Sequence, residues 1–414
     1  MRSPLATDIL DRFLRYAVVD TMSDENLVAD KHPSTEGQWD LLNLLVSELK
    51  ELAIEDIQVD EHGIVIARIP SNLDYEVPTL GFMAHVDTAD DVMGNGVKPR
   101  VIDAYDGNDV KLNEEYTLLR SENEELASYV GETIIVTDGN TLLGSDDKAG
   151  VAEIMAVAKL LCSDPTIKHG EIELIFTSDE ETGAGMDNFP YDKIRCEYCY
   201  TIDGGKRFEI ESECFNAATV KVHFSGVSYH LGSARGRLVN ALTMASYFVN
   251  SLPQAESPEA TDGRYGYYCA LAMNGTSVET DLTVYLRDFD LAILDRRIEA
   301  LKALAQATEA LYPNGKVSLD AKHIYYNMVL VAKDKPIAMN SLYEAGRRLG
   351  MELHEELIRG GTDGSRMANE QKIPCPNIFT GGHNLHSRFE WAALPAMEDS
   401  ARLIAQIIQV GANL

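Results

Sequence analysis

Basic residues are scarce in this 414-residue chain: 36 Lys and Arg stand against 66 Asp and Glu, and the formal net charge is −30. Nucleic acids and anionic membrane surfaces are bound through clusters of Lys and Arg, so this imbalance argues against both as partners. The sequence also lacks a run of about 18 apolar residues, which a membrane-spanning helix requires. Hydrophobic residues make up 45% of the chain, a composition typical of a soluble globular enzyme or binding protein.

Cysteine is sparse as well, and six cysteines in a chain of this length do not predict a disulfide framework. Cys196 and Cys199 form a CxxC pair, but the surrounding RCEYCYTID is typical of a buried strand. We therefore expect reduced core thiols there, with a redox or zinc site as the alternative. Leu5, Ile9 and Phe13 lie at helical spacing and predict an amphipathic helix instead of a secretion signal. These features together predict a cytoplasmic protein.

Strand and helix patterns alternate along the first half of the chain, which predicts an α/β fold. PTLGFMAHVDT and EIELIFTSDEE are continuous apolar strands that end in polar residues, as in a largely parallel sheet buried on both faces. Thr35 and Gln38 predict a capping box at the start of a helix. One-sided strands and two helices follow from residue 214. We expect a catalytic domain (1–213 and 328–414) with an inserted α+β lid domain (214–327), a four-stranded antiparallel sheet plus two helices.

Histidine and acidic residues follow several of the predicted strands. Ligands of α/β sheets bind beyond the carboxyl ends of the strands, so these side chains should converge in one crevice. Two histidines with several carboxylates form a nitrogen and oxygen donor set that suits zinc, manganese or cobalt. Burying so many acids together without cations would be prohibitive. The residues are His85, Asp87, Asp146, Asp147, Glu180, Glu181, Asp203 and His386.

Several long motifs resemble metallopeptidase family M20 over nearly the whole chain. They are STEGQ, GFMAHVDT, DGNTLLGSDDKAGVAEI, FTSDEETG, TIDGG, RGGTDGS and NIFTGG. The resemblance, which is strongest to the tripeptide aminopeptidases of the family, implies two divalent metal ions per subunit, with zinc ahead of manganese or cobalt. It also implies a homodimer formed through the lid domain, and tripeptides as substrates.

The resemblance further implies how the metal ions are held. His85, Asp146 and Asp203 would bind one ion. Asp146, Glu181 and His386 would bind the other, so that Asp146 bridges the pair, as one carboxylate can when two ions lie roughly 3.5–4 Å apart. In the family the peptide bond after the bridging aspartate is typically cis, so we expect a cis bond after Asp146.

Glu180 and Glu181 are adjacent, yet the resemblance implies different roles for them. Successive side chains on an extended backbone point in different directions, so one carboxylate can reach a metal ion while the other faces the water. Glu180 would be the general base, taking a proton from a metal-bridged water that attacks the scissile carbonyl and passing it to the leaving amine. Asp87 would fix the tautomer and orientation of His85.

His383 competes with His386 as the ligand of the second ion, because it lies only three residues away. The family pattern places a Glu four positions after the ligand His, which matches HSRFE beginning at His386. Ser387 departs from a more usual Gly in that motif. We therefore expect His386 to be the ligand.

The predicted lid contributes further candidates. SGVSYHLGSARGRLVNA resembles the family stretch whose His stabilises the tetrahedral oxyanion, which implies that role for His230, although Leu231 replaces a more usual proline. Arg287 and Arg359 resemble residues that meet the carboxylate end of the peptide, for which a guanidinium fork is the natural partner. For Arg287 the alternative is an ordinary ion pair with Asp288.

The function that this resemblance implies is a metal-dependent aminopeptidase that releases the N-terminal residue from tripeptides. Another M20 amide hydrolase (a dipeptidase, carboxypeptidase or deacylase) is the first alternative, because its metal ligands would be identical. A non-catalytic peptide-binding protein is the second. Such proteins usually lose ligands or the base, whereas every expected ligand and Glu180 are present here.

Overall fold

The computed structural model describes residues 2–414, which form two compact units. The first unit comprises the chain up to Ser212 with Leu330–Glu356 and Thr362–Leu414, and the second comprises Glu213–Val329 and Leu357–Gly361. The α-helices are α1 (Pro4–Ala17), α2 (Glu36–Glu51), α3 (Ser145–Ser163), α4 (Ala241–Asn250), α5 (Leu291–Leu311), α6 (Val329–Asp334), α7 (Ile337–Leu349), α8 (Asp363–Gln371) and α9 (Leu394–Gly411). None of the helices within residues 2–414 has the length and apolar character that crossing a membrane requires.

The strands fall into one large sheet, two four-stranded sheets and a two-stranded pair. They are β1 (Asp56–Val59), β2 (Val65–Ile69), β3 (Leu80–His85), β4 (Arg100–Ile102), β5 (Val110–Lys111), β6 (Thr117–Leu118), β7 (Ile134–Val136), β8 (Ile172–Thr177), β9 (Tyr198–Gly204), β10 (Glu209–Cys214), β11 (Asn216–Ser225), β12 (Tyr267–Gly275), β13 (Glu279–Asp288), β14 (Lys316–Tyr325), β15 (His354–Ile358), β16 (Asn377–Phe379), β17 (Gly382–His383) and β18 (Trp391–Ala393).

The large sheet has the order β1-β2-β8-β3-β9-β16-β10-β15 and belongs mainly to the first unit. Its central strands β8, β3, β9 and β16 run parallel to one another. Every residue of β3 and β8 is buried, as their continuous apolar runs predicted. The helix α3 packs against β3 and β9. Because the central strands are parallel, their carboxyl ends meet at one edge of the sheet, which is where the predicted site residues lie.

Gly150 allows α3 to approach β9 closely. A Cβ atom at this position would lie 1.8 Å from the carbonyl oxygen of Ile202, so a side chain does not fit. Since α3 begins at Ser145, this contact sets the amino end of the helix beside the carboxyl end of β9. Asp146 and Asp203 are brought together in this way.

The second unit contains an antiparallel sheet of order β12-β13-β11-β14, with α4 and α5 packed on it. Alternate residues of β11 and β13 are buried against these helices, as the one-sided strand pattern predicted. The α5 helix begins after Asp290, whose side chain accepts the N–H groups of Ala292 and Ile293. The predicted architecture, an α/β unit and an inserted α+β unit with four antiparallel strands and two helices, is confirmed.

The predicted capping box at the start of α2 is wrong. Thr35 precedes the helix, but its side chain accepts no backbone N–H of the first turn. Its Oγ1 instead donates to the carbonyl oxygen of Met22 and accepts from the side-chain amide of Gln38 at 3.3 Å. Gln38 directs its amide toward Asp179, which follows β8. A tertiary contact therefore takes the place of the local one.

Candidate metal centre

The site residues predicted for the first unit lie together at the carboxyl ends of the parallel strands. Two of the strands end directly in them, and a third is followed by the two glutamates. Of the other two residues, Asp146 lies at the start of α3 and His386 lies in the loop after β17. They are His85 of β3, Glu180 and Glu181 after β8, Asp203 of β9, Asp146 of α3 and His386.

Asp146 lies at the centre of this group, because each of its carboxylate oxygens faces a different histidine. Oδ1 is 3.0 Å from Nε2 of His85, and Oδ2 is 3.3 Å from Nε2 of His386. Burial raises the pKa of Asp146, but hydrogen bonds from His386 and His85 outweigh it and bring the pKa well below its usual value. The peptide bond from Asp146 to Asp147 is cis, as predicted. One carboxylate thus lies between two imidazoles, as a bridging ligand must.

Each of these histidines faces one further carboxylate. Nε2 of His85 is 3.6 Å from Oδ1 of Asp203, and Nε2 of His386 is 3.0 Å from Oε1 of Glu181. Two ligands of a tetrahedral zinc ion, each about 2.0–2.1 Å from the metal, lie roughly 3.3 Å apart. The ligand atoms of His85, Asp146 and Glu181 all lie within 4.8 Å of one another. The spacing of these side chains therefore fits a divalent metal ion.

Asp147 is close to the site but is engaged by backbone groups. Its Oδ2 accepts the N–H of His85 at 3.2 Å, and its Oδ1 accepts the N–H of Gly150 at 3.3 Å. Its ligand atom lies within 4.8 Å of those of His85 and Asp203. We interpret Asp147 as a support that ties the end of β3 to α3.

The site carries more negative charge than its histidines balance. Burial raises the pKa of Glu181 to about 7, and repulsion by Asp146 acts in the same direction. Burial also raises the pKa of Asp203 to about 6, although the charge of His85 opposes the change. The pKa of Glu180 is raised well above its ordinary value, again mainly by burial. Bound cations would offset these buried charges, so the donor set and the electrostatics both suit a metal centre.

Asp87 connects His85 to the segment that carries the two glutamates. Its Oδ1 lies 3.3 Å from Nδ1 of His85 and accepts the backbone N–H of Glu180 at 3.0 Å. Its Oδ2 accepts the backbone N–H of Glu181 at 3.1 Å. A carboxylate on the far nitrogen of a ligand imidazole fixes its tautomer and orientation. Asp87 is placed to do this while also fixing the backbone of both glutamates.

Asp179 directly precedes the two glutamates but points away from them. Its φ of 56° lies in the left-handed region, which Asp adopts more readily than most residues. Its carboxylate accepts the N–H of Ser34 and the side chain of Gln38, both at 2.7 Å, and lies 3.1 Å from Nδ1 of His32. Three successive carboxylates therefore diverge, and their mutual repulsion is reduced.

His386 and His383 occupy different environments. His386 faces Asp146 and Glu181 through Nε2, while its Nδ1 lies 3.2 Å from Oδ2 of Asp91. Hydrogen bonds to Asp146 and Glu181 raise the pKa of His386 to about 11. His383 is buried and stacks on Trp391, with ring centroids 3.9 Å apart. The geometry favours His386 as the metal ligand.

His230 and Arg287 lie in the second unit. His230 is exposed, and its Nδ1 accepts the N–H of Gly232 at 3.2 Å. The guanidinium of Arg287 lies over the rings of Tyr285 and Tyr325, and one of its nitrogens donates to the carbonyl oxygen of Leu286. The alternative considered from the sequence was an ion pair between Arg287 and Asp288. Asp288 instead pairs with Arg297, with 3.0 Å between Oδ2 and Nη2.

Arg359, also in the second unit, is held by several backbone carbonyls. Its Nη1 donates to the carbonyl oxygens of Gly263 and Tyr265, both at 2.8 Å. Its Nη2 donates to the carbonyl oxygen and the hydroxyl of Thr261, at 3.2 and 3.0 Å. The guanidinium also lies over the ring of Phe215. These contacts fix the loop 261–265.

The structure adds acidic residues to which the sequence assigned no role. Asp363, in the first turn of α8, accepts a hydrogen bond from Thr177 at 2.7 Å, and burial raises its pKa to about 6. Glu390 accepts backbone N–H groups next to Asp146. Glu390 was visible in HSRFE and Asp363 in the glycine-rich RGGTDGS, whereas nothing in the sequence marked Asp91, which contacts His386.

The chain belongs to Peptidase family M20/M25/M40, since residues 135–410 match that family. It is 42% identical over 404 residues to peptidase T from Caldanaerobacter subterraneus subsp. tengcongensis, covering 97% of this chain and 98% of that protein. It is 43% identical, with the same coverage, to peptidase T from Bacillus licheniformis. The crystal structure of aminopeptidase PepT from Bacillus cereus has the same fold, with a TM-score of 0.77, 22% identity, and coverage of 98% of this chain and 99% of that one. The predicted family resemblance is confirmed.

Proposed function

We propose that this protein is a metal-dependent aminopeptidase that releases the N-terminal residue from tripeptides. Relatives named peptidase T match it over 97% of its length, which supports the substrate class. The observation that carries the proposal is the position of Asp146, whose two carboxylate oxygens face His85 and His386. A pair of divalent ions bridged in this way is a common centre of aminopeptidases.

The proposed ligands form two sets that share Asp146. His85, Asp146 and Asp203 hold the first ion, and Asp146, Glu181 and His386 hold the second. Imidazole and carboxylate ligands suit zinc, with manganese and cobalt as alternatives. When bound, the ions would lower the pKa of a water molecule and polarise the scissile carbonyl.

Glu180 is the general base of the proposed reaction. Asp87 holds its backbone N–H, and burial raises the pKa of its carboxyl group, which makes it a stronger proton acceptor than an exposed glutamate. The Glu180 carboxylate takes a proton from the attacking water as the water oxygen bonds to the scissile carbonyl carbon. The same proton then goes to the leaving amine nitrogen as the C–N bond breaks.

The second unit is proposed to act as a lid over the substrate. His230 is exposed and can donate from Nε2 to the oxyanion, because its Nδ1 is an acceptor. Arg287 is proposed to bind the substrate carboxylate, since aromatic rings hold its guanidinium and leave donors free for a ligand. Arg359 is proposed to shape the same region through its loop contacts.

A homodimer through the second unit and a cytoplasmic location complete the proposal. β12 is an edge strand of its sheet, and Leu271 and Met273 on it are 53% and 48% exposed. Edge strands with exposed apolar side chains tend to pair with another chain. The free cysteines suit a reducing compartment.

Hydrolysis of an unblocked tripeptide after loading with zinc, manganese or cobalt tests the function directly. The N-acetylated tripeptide and the corresponding dipeptide are measured in parallel. Release of the N-terminal residue from the free tripeptide only would support the proposal. Cleavage of the blocked or shorter substrate would instead indicate a deacylase, carboxypeptidase or dipeptidase. A loaded protein that binds these peptides without cleaving them would be a binding protein.

A further inference from the structure

We propose that Glu390 is a positioning residue that fixes Asp146 relative to His386 and thereby sets the affinity of the second divalent ion. The inference rests on the proposed function, because it presupposes the two ligand sets given above. Glu390 itself faces neither histidine. Its carboxylate joins the two segments of chain that carry Asp146 and His386.

On the Asp146 side, Glu390 is surrounded by backbone N–H groups. Its Oε2 accepts from Leu143 at 2.7 Å and from Gly144 at 3.0 Å. Its Oε1 accepts from the N–H and the hydroxyl of Ser145, both at 2.6 Å, and from the N–H of Asp146 at 3.4 Å. Since Glu390 is 1% exposed, water does not compete for these bonds. The carboxylate therefore fixes the backbone from residue 143 to the proposed bridging ligand.

On the other side, a short turn connects Glu390 to His386. The N–H of Glu390 donates to the carbonyl oxygen of Ser387 at 3.2 Å. The hydroxyl of Ser387 donates to the carbonyl oxygen of Asn384 at 2.7 Å. His386 and Asn384 have φ angles of 57° and 54°, so the turn needs support to keep its shape. A displacement of Glu390 would be transmitted to His386 through this turn.

The two metal ions should depend on Glu390 unequally. His85 is held by Asp87, and Asp203 lies within β9, so two ligands of the first ion have their own supports. For the second ion, Asp87 supports Glu181 through its backbone N–H, but His386 lies on a loop and its side chain is 40% exposed. Loss of Glu390 should therefore weaken the second ion most.

The test compares zinc binding by the wild type with that of three variants. Glu390→Gln keeps the shape of the side chain but turns an amide N–H₂ toward backbone N–H groups. Ser145→Ala removes one hydrogen bond to the same carboxylate. Glu153→Gln is the matched control, because Glu153 is also fully buried but contacts Ser400. Each metal-free protein is titrated with zinc against a chromophoric chelator, and folding is checked by circular dichroism.

The wild type is expected to bind two zinc ions per chain, and so is Glu153→Gln. Glu390→Gln should bind one zinc ion with wild-type affinity and the other roughly 10–100-fold more weakly, as for other groups that orient ligands. Ser145→Ala should show a smaller loss of zinc affinity, confined to the same ion. This variant decides the question if Glu390→Gln does not fold. Two ions bound with wild-type affinity by Glu390→Gln, or both weakened equally, would overturn the inference. Fewer than two ions on the wild type would overturn the proposed metal centre and this inference with it.

Discussion

Asp179 and Gln38 exchange two hydrogen bonds. Nε2 of Gln38 donates to Oδ1 of Asp179 at 2.7 Å, and the backbone N–H of Asp179 donates to Oε1 of Gln38 at 3.0 Å. Both residues are fully buried. This reciprocal contact ties α2 to the start of the segment that carries Glu180 and Glu181. It explains how three adjacent carboxylates coexist, because one of them is bound within a separate polar network.

Replacing Gln38 with Ala should destabilise the first unit. The N–H of Asp179 would lose its acceptor in a buried environment, which costs about 1–3 kcal/mol. We expect a lower urea concentration at the midpoint of unfolding. We also expect a lower kcat, because the left-handed backbone at Asp179 would lose part of its support. The control is Gln58→Ala, since Gln58 is partly exposed and makes one long bond of 3.4 Å to Asp56. Equal midpoints for the two variants would contradict the role of Gln38.

Replacing Glu180 with Ala should separate catalysis from metal binding. Glu180 is not in either proposed ligand set, so the variant should retain two metal ions per chain. Loss of a general base typically lowers kcat by roughly 10²–10⁴-fold. Metal content is measured by mass spectrometry beside tripeptide hydrolysis. Glu181→Ala serves as the comparison and should lose metal as well as activity. Near-normal kcat for Glu180→Ala would remove Glu180 from the mechanism.

The fold and the convergence of the candidate metal ligands were largely predictable because they rest on local patterns. His85, Asp146 and Asp203 each stand at the end of a long strand or the start of a helix, inside an extended motif. The partners of Gln38 were not predictable. Its spacing from Thr35 suits a capping box, and only the tertiary fold shows that residue 179 lies beside it. Contacts between distant segments depend on packing that a single sequence does not reveal.

The same reason applies to the arginines of the second unit. The family resemblance implied the same role for Arg287 and Arg359, the binding of a carboxylate. The structure separates them, because Arg359 is bonded to a loop about 95 residues away in the sequence. The guanidinium of Arg287 lies over the rings of Tyr285 and Tyr325 and makes one backbone hydrogen bond. The motifs therefore identified both arginines as candidate ligands of a carboxylate. Only the fold shows which of their N–H donors already bond to other parts of the chain.

Substitution of the two arginines should give different phenotypes. Arg287→Ala should raise KM for tripeptides roughly tenfold to a hundredfold, because a charged hydrogen bond contributes about 1.5–3 kcal/mol. Its Tm should change little. Arg359→Ala should lower Tm, since the carbonyl groups of the loop 261–265 lose their donor. A tripeptide with an amidated C-terminus is the control substrate, and Arg287→Ala should cleave it as the wild type does. A similar rise in KM for the free-acid and the amidated tripeptide would show that Arg287 does not bind the carboxylate.

His383 should make stability depend on pH in the weakly acidic range. The side chain is 6% exposed, and its Nε2 has no hydrogen-bond partner within residues 2–414. Burial lowers the pKa of His383 to about 4, with Glu125 opposing the change and Lys206 adding to it. The ordinary pKa of His is about 6.5. Between these values the unfolded chain binds a proton that the folded chain does not.

The stabilisation from neutral His383 is therefore complete above pH 6.5 and is lost as the pH falls toward 4, by up to about 3 kcal/mol. His383→Phe keeps a ring to stack on Trp391 but cannot take up a proton. Its Tm should fall less than that of the wild type between pH 7 and pH 4, with metal content unchanged at pH 7. The exposed His354→Phe is the control and should follow the wild type. Parallel curves for all three proteins would show that His383 is not the group responsible, whereas loss of metal from His383→Phe would favour it over His386 as a ligand.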